Sequence, residues 1–175
     1  MHKLILIILL SIFSFANNLT LEKGEIQAHT EIFGDSKIDP RTEDIISTLI
    51  IEQNIESIKG KIFFNSLSLI SDNLDRDKHM YKLLNIKTNP SITFEIKSIQ
   101  KLDTNYQMNG FLTLNGVKKE ISTIVIIGEH KQLLNLRGKF SIKLTQFNME
   151  PPTLLFLTVR DKIDINYKLS YTKGK

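Results

Sequence analysis

The stretch "SDNLDRDKHMYKLL", Ser71 to Leu84, gathers the side chains of this chain whose types and spacing come closest to a reactive site. Asp72, Asp75 and Asp77 are interleaved with Arg76, Lys78 and His79. Asp75 and His79 are four residues apart, a spacing at which two ligands on one helix face can share a metal, but no third ligand is close in sequence. His29 sits on the polar side of its segment, His130 in a turn, and His2 ahead of the apolar N-terminal run. There is no G-x-S-x-G elbow and no nucleophile–base pair. A phosphate loop and a dinucleotide fingerprint are absent as well. With no cysteine, thiol nucleophiles, thiolate metal sites and Fe–S clusters are excluded. The residues point away from an enzyme, a metal site and a cofactor. Asp77 and His79 as acid and base on a small apolar substrate are the one enzymatic alternative.

On a helical projection from Asn73, Leu74, Met80, Tyr81 and Leu84 gather on one side, with Asp77 among them and Arg76 and His79 opposite. A carboxylate on an apolar face is costly unless it is paired or hydrogen-bonded. Asp77 is therefore expected to meet Arg76 or the backbone amides of a neighbouring loop. Asp72 is the expected N-cap, and Asp75 is favourable in the first turn. Two readings stay open. Arg76, Asp77 and His79 close the mouth of a cavity and contact a polar head group, or the cluster only pins the helix to a sheet.

The elements around this helix alternate with period two, as strands with one buried face do. "GEIQAHTEIF" sets Ile26, Ala28, Thr30 and Ile32 against Glu25, Gln27, His29 and Glu31. "FGDSKIDPRTED" is turn-rich, and Pro40 argues against a central strand there. "IISTLIIEQN", "GKIFFNSLSLIS" and "SITFEIKSI" follow as strand candidates. In "YQMNGFLTLNGVKKEISTIVIIGE", Asn115-Gly116 predicts a type I′ hairpin whose two-residue loop fixes the register. Leu114 then opposes Val117, Leu112 opposes Lys119, Gly110 opposes Ile121, and Tyr106 opposes Val125. Opposed residues share a side, so Tyr106, Met108, Leu112, Leu114, Val117, Ile121, Val125 and Ile127 form the inner face, interrupted by Lys119 and Thr123. "LLNLRGKFSIKLTQFN" and "DKIDINYKLSYTK" continue the alternation, separated by a loop that opens on Pro151-Pro152. Seven to nine such strands, one mid-chain helix and no linker or repeat predict an all-β fold, an antiparallel barrel or sandwich. An eight-stranded barrel with bulky aliphatic inner faces either fills itself or holds one apolar ligand.

At the N-terminus, Lys3, the apolar run Leu4–Phe13 and the small residues Ser14 and Ala16 read as a secretory signal cleaved after Ala16. Residues 17–175 then form a single domain, exported and, lacking disulfides, stabilised by packing alone. The net charge of +4 is modest and its lysines are scattered, which argues against nucleic acid. It leaves room for transient contact with an anionic membrane surface.

"SDNLDRDKHMYKLLNIKTNPSITFEI" followed by "YQMNGFLTLNGVKKEI" resembles the YceI-like family of bacterial polyisoprenoid-binding proteins. The family's R-D-x-H helix matches Arg76-Asp77-Lys78-His79, its P-x-I-T-F strand Pro90–Phe94, and its G-x-L-T-(I/L)-x-G-V-x-K hairpin Gly110–Lys119. "FSIKLTQFNMEPP…VRDKIDINYKL" is similar to its C-terminal strands, whereas "AHTEIFGDSKIDP" departs from its more aromatic opening strand. The resemblance implies a lipocalin-like antiparallel β-barrel in the periplasm, carrying the tail of an isoprenoid quinone or polyprenol. In that case Ile92, Phe94, Ile96, Tyr106, Met108, Leu112, Leu114, Ile121 and Val125 line the cavity and Arg76, Asp77 and His79 its mouth. The alternatives are ordinary core packing in a filled barrel that serves as a stress-related interaction module, or the enzyme above. A homodimer is compatible with either.

Overall fold

A computed structural model of the chain describes residues 16–32, 35–154 and 157–174; of the leader read at residues 1–16, all but Ala16 lies outside them. The strands in chain order are β1 (Asn17–Ile32), β2 (Asp35–Ile38), β3 (Arg41–Thr42), β4 (Ile46–Ser47), β5 (Ile50–Ile51), β6 (Gly60–Asn65), β7 (Ser91–Lys101), β8 (Tyr106–Leu114), β9 (Val117–His130), β10 (Leu133–Lys143), β11 (Thr153–Leu154), β12 (Leu157–Thr158) and β13 (Lys162–Lys173). Among the described residues the α-helix is α1 (Leu74–Leu83), with single 3-10 turns at Ile55–Ser57, Ser66–Ser68 and Leu144–Phe147.

Hydrogen bonding runs β1-β13-β10-β9-β8-β7-β6-β4. The segment holding β4 and β5 pairs with β6 through Ile46↔Phe63 and with the start of β1 through Asn17↔Ile51. It is the eighth stave, and the sheet curls into a closed antiparallel barrel. Closure leaves no long unpaired edge at that side. A continuous strand over "IISTLIIEQN" is thus corrected to two short pieces, because each pairs with a different neighbour. The turn-rich stretch at 35–42 also carries pairing: β2 folds back on β1 through Thr30↔Ile38, and Arg41 pairs with Gln27.

The hairpin forms in the expected register, with Leu114↔Val117, Leu112↔Lys119, Gly110↔Ile121 and Tyr106↔Val125. Asn115 (φ 50) and Gly116 (φ 73) supply the two positive φ angles that such a turn requires. The first strand begins earlier than the alternation indicates. A bulge between Leu21 and Lys23 shifts the register, so Leu19, Leu21 and Gly24 all turn inward although they break a strict period of two.

Inward side chains pack in two clusters. Leu19, Leu49, Ile58, Ile99, Met108, Val125, Leu134, Leu136 and Tyr171 fill one half of the barrel. Leu84, Leu112, Leu114, Ile142, Leu144, Phe147 and Met149 occupy the other. Phe94 and Phe140 touch both clusters, and their ring centroids are 6.5 Å apart.

Candidate functional site: the helix-capped half of the barrel

The helix begins at Asn73, whose side chain accepts from the amides of Asp75 and Arg76, both at 3.1 Å. Asn73, not Asp72, is the N-cap: it stands one residue before the first helical position, where a side-chain oxygen reaches the second and third amides. Asp75 sits in solvent and pairs with Lys78 at 2.8 Å, which holds its carboxyl below the usual carboxylate range.

Asp77 is 3% exposed. Its carboxylate accepts the Ser71 hydroxyl (2.7 Å) and the Ser71 amide (3.0 and 3.1 Å). Of the two expected partners, the loop amide is the one found. Asp77 therefore staples the helix to the strand-to-helix connection six residues earlier. Tyr81 adds a second tie, its hydroxyl donating to the carbonyl of Leu69 at 2.9 Å. Burial, and after it the charge of Asp77, push that phenol up from its ordinary value.

The expected apolar face of the helix is only partly realised. Met80, Leu83 and Leu84 pack with Ile86 on the cluster of Leu112, Leu114 and Phe147. Leu74, however, is 76% exposed. Arg76, Asp77 and His79 do not share one environment: Asp77 is buried, Arg76 half-buried and His79 exposed. The remaining parts of this rim are cross-linked. Asn89 donates to Asn115 Oδ1 (3.4 Å), and Asn115 donates to the carbonyl of Phe147 (3.1 Å), which joins the post-helix loop, the hairpin turn and the Leu144–Phe147 turn.

All nine predicted wall residues pack on the inner surface. Ile96, Met108 and Val125 belong to the far cluster with Tyr106 against it, Leu112 and Leu114 to the helix-side cluster with Ile92 and Ile121 against it, and Phe94 touches both. Their accessibility divides them. Ile96, Met108, Leu112, Leu114 and Val125 are buried, while Ile92, Phe94, Tyr106 and Ile121 are only half-buried. Ile26, Phe140, Ile163 and Ile165 are inward residues that remain half-buried too. Ile92, Ile121 and Ile163 lie against the helix-side cluster, Ile26 and Tyr106 against the far one, and Phe94 and Phe140 between the two. An inward apolar side chain that a water-sized sphere still reaches marks room inside the wall, since filled cores leave few such gaps.

The helix-side half also has a break in its wall. The β9–β10 ladder runs from His130↔Leu133 to Ile124↔Lys139 and stops. The neighbouring ladders continue to Leu114↔Val117 on one side and Lys143↔Lys162 on the other. From Thr123 and Phe140 toward the rim the two strands part. The Thr123 hydroxyl donates to the carbonyl of Lys139 (3.0 Å) where the ladder ends. Lys119 is exposed at the margin of this opening despite its place in the inner row. Below it the Tyr167 hydroxyl is buried without a hydrogen-bond partner among the described residues. Burial pushes it up to about 12, and the Thr123 hydroxyl lies near enough to offset part of that shift though not in hydrogen-bonding alignment. A Cβ on Gly138 would lie 2.3 Å from that hydroxyl, so a side chain there has no place.

Phe140, Ile163 and Tyr167 were not singled out from the sequence. Their alternation in "GKFSIKL" and "KIDINYKL" places them on inner faces, but the packing of Phe140 on Phe94 and on Tyr167 depends on long-range strand pairing.

An antiparallel barrel with an apolar interior, capped at one end by a single helix, is the class these observations define. A model of the YceI-like domain matches residues 19–171, and the chain belongs to the YceI-like family. It is 32% identical over 106 residues to a UPF0312 protein of Pectobacterium atrosepticum (56% of this chain, 55% of that protein). It is 34% identical over 73 residues to a UPF0312 protein of Pseudomonas aeruginosa (41% and 38%). The matched stretches thus span about half, or less, of those relatives' length. Among solved structures, Burkholderia cenocepacia BcnA superposes with a TM-score of 0.76 at 15% identity, over 85% of this chain and 96% of that one. The Campylobacter jejuni YceI protein gives 0.66 at 21% identity, over 81% and 87%. A polyisoprenoid binding domain from Saccharophagus degradans gives 0.62 at 10% identity, over 91% and 99%.

Proposed function

We propose that this protein is an exported binding protein that encloses the tail of an isoprenoid-type lipid, a polyprenol or an isoprenoid quinone, in the helix-capped half of its barrel. The observation that carries the reading is the set of inward apolar side chains that stay half-buried, Phe94 and Phe140 between the two clusters with Ile121 and Ile163 on the helix side, beside the break in the wall where β9 and β10 part. Such a surface offers an apolar chain dispersion and dehydration and little else. Each methylene-sized unit buried contributes about 0.8 kcal/mol, so a tail of a few isoprene units binds without any polar recognition. The family, and a structural neighbour that is a polyisoprenoid binding domain, support the same class of cargo.

Binding, rather than turnover, suits the polar groups present. The buried carboxylate of Asp77 is occupied by Ser71, and His79 faces solvent, so the two form no acid–base pair around a common substrate. Export to the periplasm rests on Lys3, Leu4–Phe13 and Ser14–Ala16. In this reading a polar head would be met by Arg76 and His79 on the helix.

The test is uptake of a short-chain isoprenoid quinone from detergent solution by the parent and by Ile121→Trp. The indole fills the helix-side hollow from a half-buried position. Uptake falls at least tenfold while the urea midpoint moves little. Undiminished uptake by the variant would place the ligand elsewhere.

A further inference from the structure

The outer surface of β9, β10 and β13 carries a pattern that the interior reading does not use. Register places Ile126, Arg137, Lys168 and Glu25 side by side in one row across four strands, and Ile124, Lys139, Asn166 and Gln27 in the next. Arg137 therefore stands directly opposite Lys168, with Lys139 two residues along. Like charges opposed across a ladder are destabilising, and here nothing in the described structure neutralises them: none of the three takes part in an ion pair. Glu25 is the one carboxylate in these rows, and it makes no ion pair with Lys168 either.

The other side of the same surface is built differently. Around Phe111, Lys97 pairs with Glu120 and Lys118 with Glu95, both at 2.9 Å, so that side is internally neutral. Beside the unpaired cations lie two large apolar side chains in water, Ile124 (49% exposed) and Ile126 (42%). A shallow groove of ≈ 750 Å³ runs over the same residues.

Uncompensated cations around exposed isoleucines fit a surface that is anionic at one depth and apolar just beneath. We propose that this face docks on an anionic lipid bilayer, with Arg137, Lys139 and Lys168 on lipid phosphates and Ile124 and Ile126 at the headgroup–acyl boundary. Docked so, the opening where β9 and β10 part, one row beyond Ile124 and Lys139, lies against the bilayer. It is the route by which an apolar tail crosses between membrane and barrel without passing through water. The docking surface does not depend on the barrel being occupied.

The experiment is co-sedimentation with phosphatidylcholine vesicles made with and without phosphatidylglycerol. The parent binds the anionic vesicles, and salt releases it. Arg137→Gln, Lys139→Gln and Lys168→Gln each lower the partition coefficient about fivefold, and the triple variant about a hundredfold. Ile124→Ser/Ile126→Ser lowers it about tenfold, whereas Lys97→Gln/Lys118→Gln, on the neutral side, leaves it unchanged. Since every altered side chain is exposed, the urea midpoint checks that each variant is folded. Equal partition of the parent onto both vesicle types, or undiminished binding by the triple variant, would overturn the proposal. An indifferent isoleucine variant together with full competition by heparin would overturn it in favour of a soluble polyanion. Bound lipid is read separately by native mass spectrometry. Docking without cargo counts against the carrier reading alone, and cargo without docking counts against this one alone.

Discussion

Replacing Asp77 by alanine tests whether the staple between helix and connection is as strong as its geometry implies. The carboxylate is 3% exposed and holds one hydroxyl at 2.7 Å and one amide shared between its two oxygens at 3.0 and 3.1 Å. A hydrogen bond to a charged group contributes about 1.5–3 kcal/mol, and there are two donors. Ser71 is half-buried, so water recovers part of what its donors lose, and the carboxylate's desolvation cost disappears with it. The expected net loss is about 2–3 kcal/mol for Asp77→Ala and about 1 kcal/mol for Asp77→Asn, which keeps one acceptor. Urea denaturation gives the difference, and hydrogen exchange over residues 71–84 shows where it acts. Because the partner is known, a double-mutant cycle sharpens the test: Ser71→Ala and Asp77→Ala should couple by about 1 kcal/mol. A loss under about 0.5 kcal/mol for Asp77→Ala, or strict additivity with Ser71→Ala, would refute the staple.

Asn73→Ala should cost about 1 kcal/mol, while Asp72→Ala, at the position that is not the cap, should be near neutral in thermal melts. Leu134→Ala, at a fully buried position of the far cluster, should cost about 2–5 kcal/mol, and Ile121→Ala, already reached by solvent, clearly less; comparable losses in urea would mean that the site around Ile121 is filled. His29 pairs with Asp39 (2.6 Å) and Glu31 (3.3 Å), which raise it above its ordinary value of 6.5. Its folded value being raised, the stabilisation is fully present below the unfolded value and is lost as pH rises through the folded one. The gap in melting temperature between the parent and Asp39→Asn should thus be widest below pH of about 6 and close on the alkaline side; a gap independent of pH would exclude the imidazolium as its source.

What could be read ahead of the structure was whatever depends on local geometry. Asn115-Gly116 admits one tight turn, and that turn sets every pair of the hairpin down to Tyr106↔Val125. The inner row followed at once, and with it most of the wall residues. Where a local irregularity intervened, the alternation misled: the bulge after Leu21 hid the start of β1, and Leu74 kept a helical-face pattern although it is exposed. Asp77 illustrates the middle case. Its need for a partner follows from burial alone, but the choice of Ser71 over Arg76 depends on how the connection bends. Features made by distant pairings were out of reach. The contact of Phe94 with Phe140, the orphaned Tyr167 hydroxyl and the parting of β9 from β10 all depend on how strands far apart in the chain align.

The central claim is that the helix-capped half of the barrel holds an isoprenoid-type lipid. Native mass spectrometry of the protein purified gently from its own cells, followed by organic extraction, addresses it most directly. The account predicts a discrete adduct that extracts as a polyprenol or an isoprenoid quinone and that Ile121→Trp fails to carry. A mass equal to the bare chain, unchanged after incubation with isoprenoid quinone or polyprenol, would contradict it and leave a filled barrel with a helix pinned to its rim.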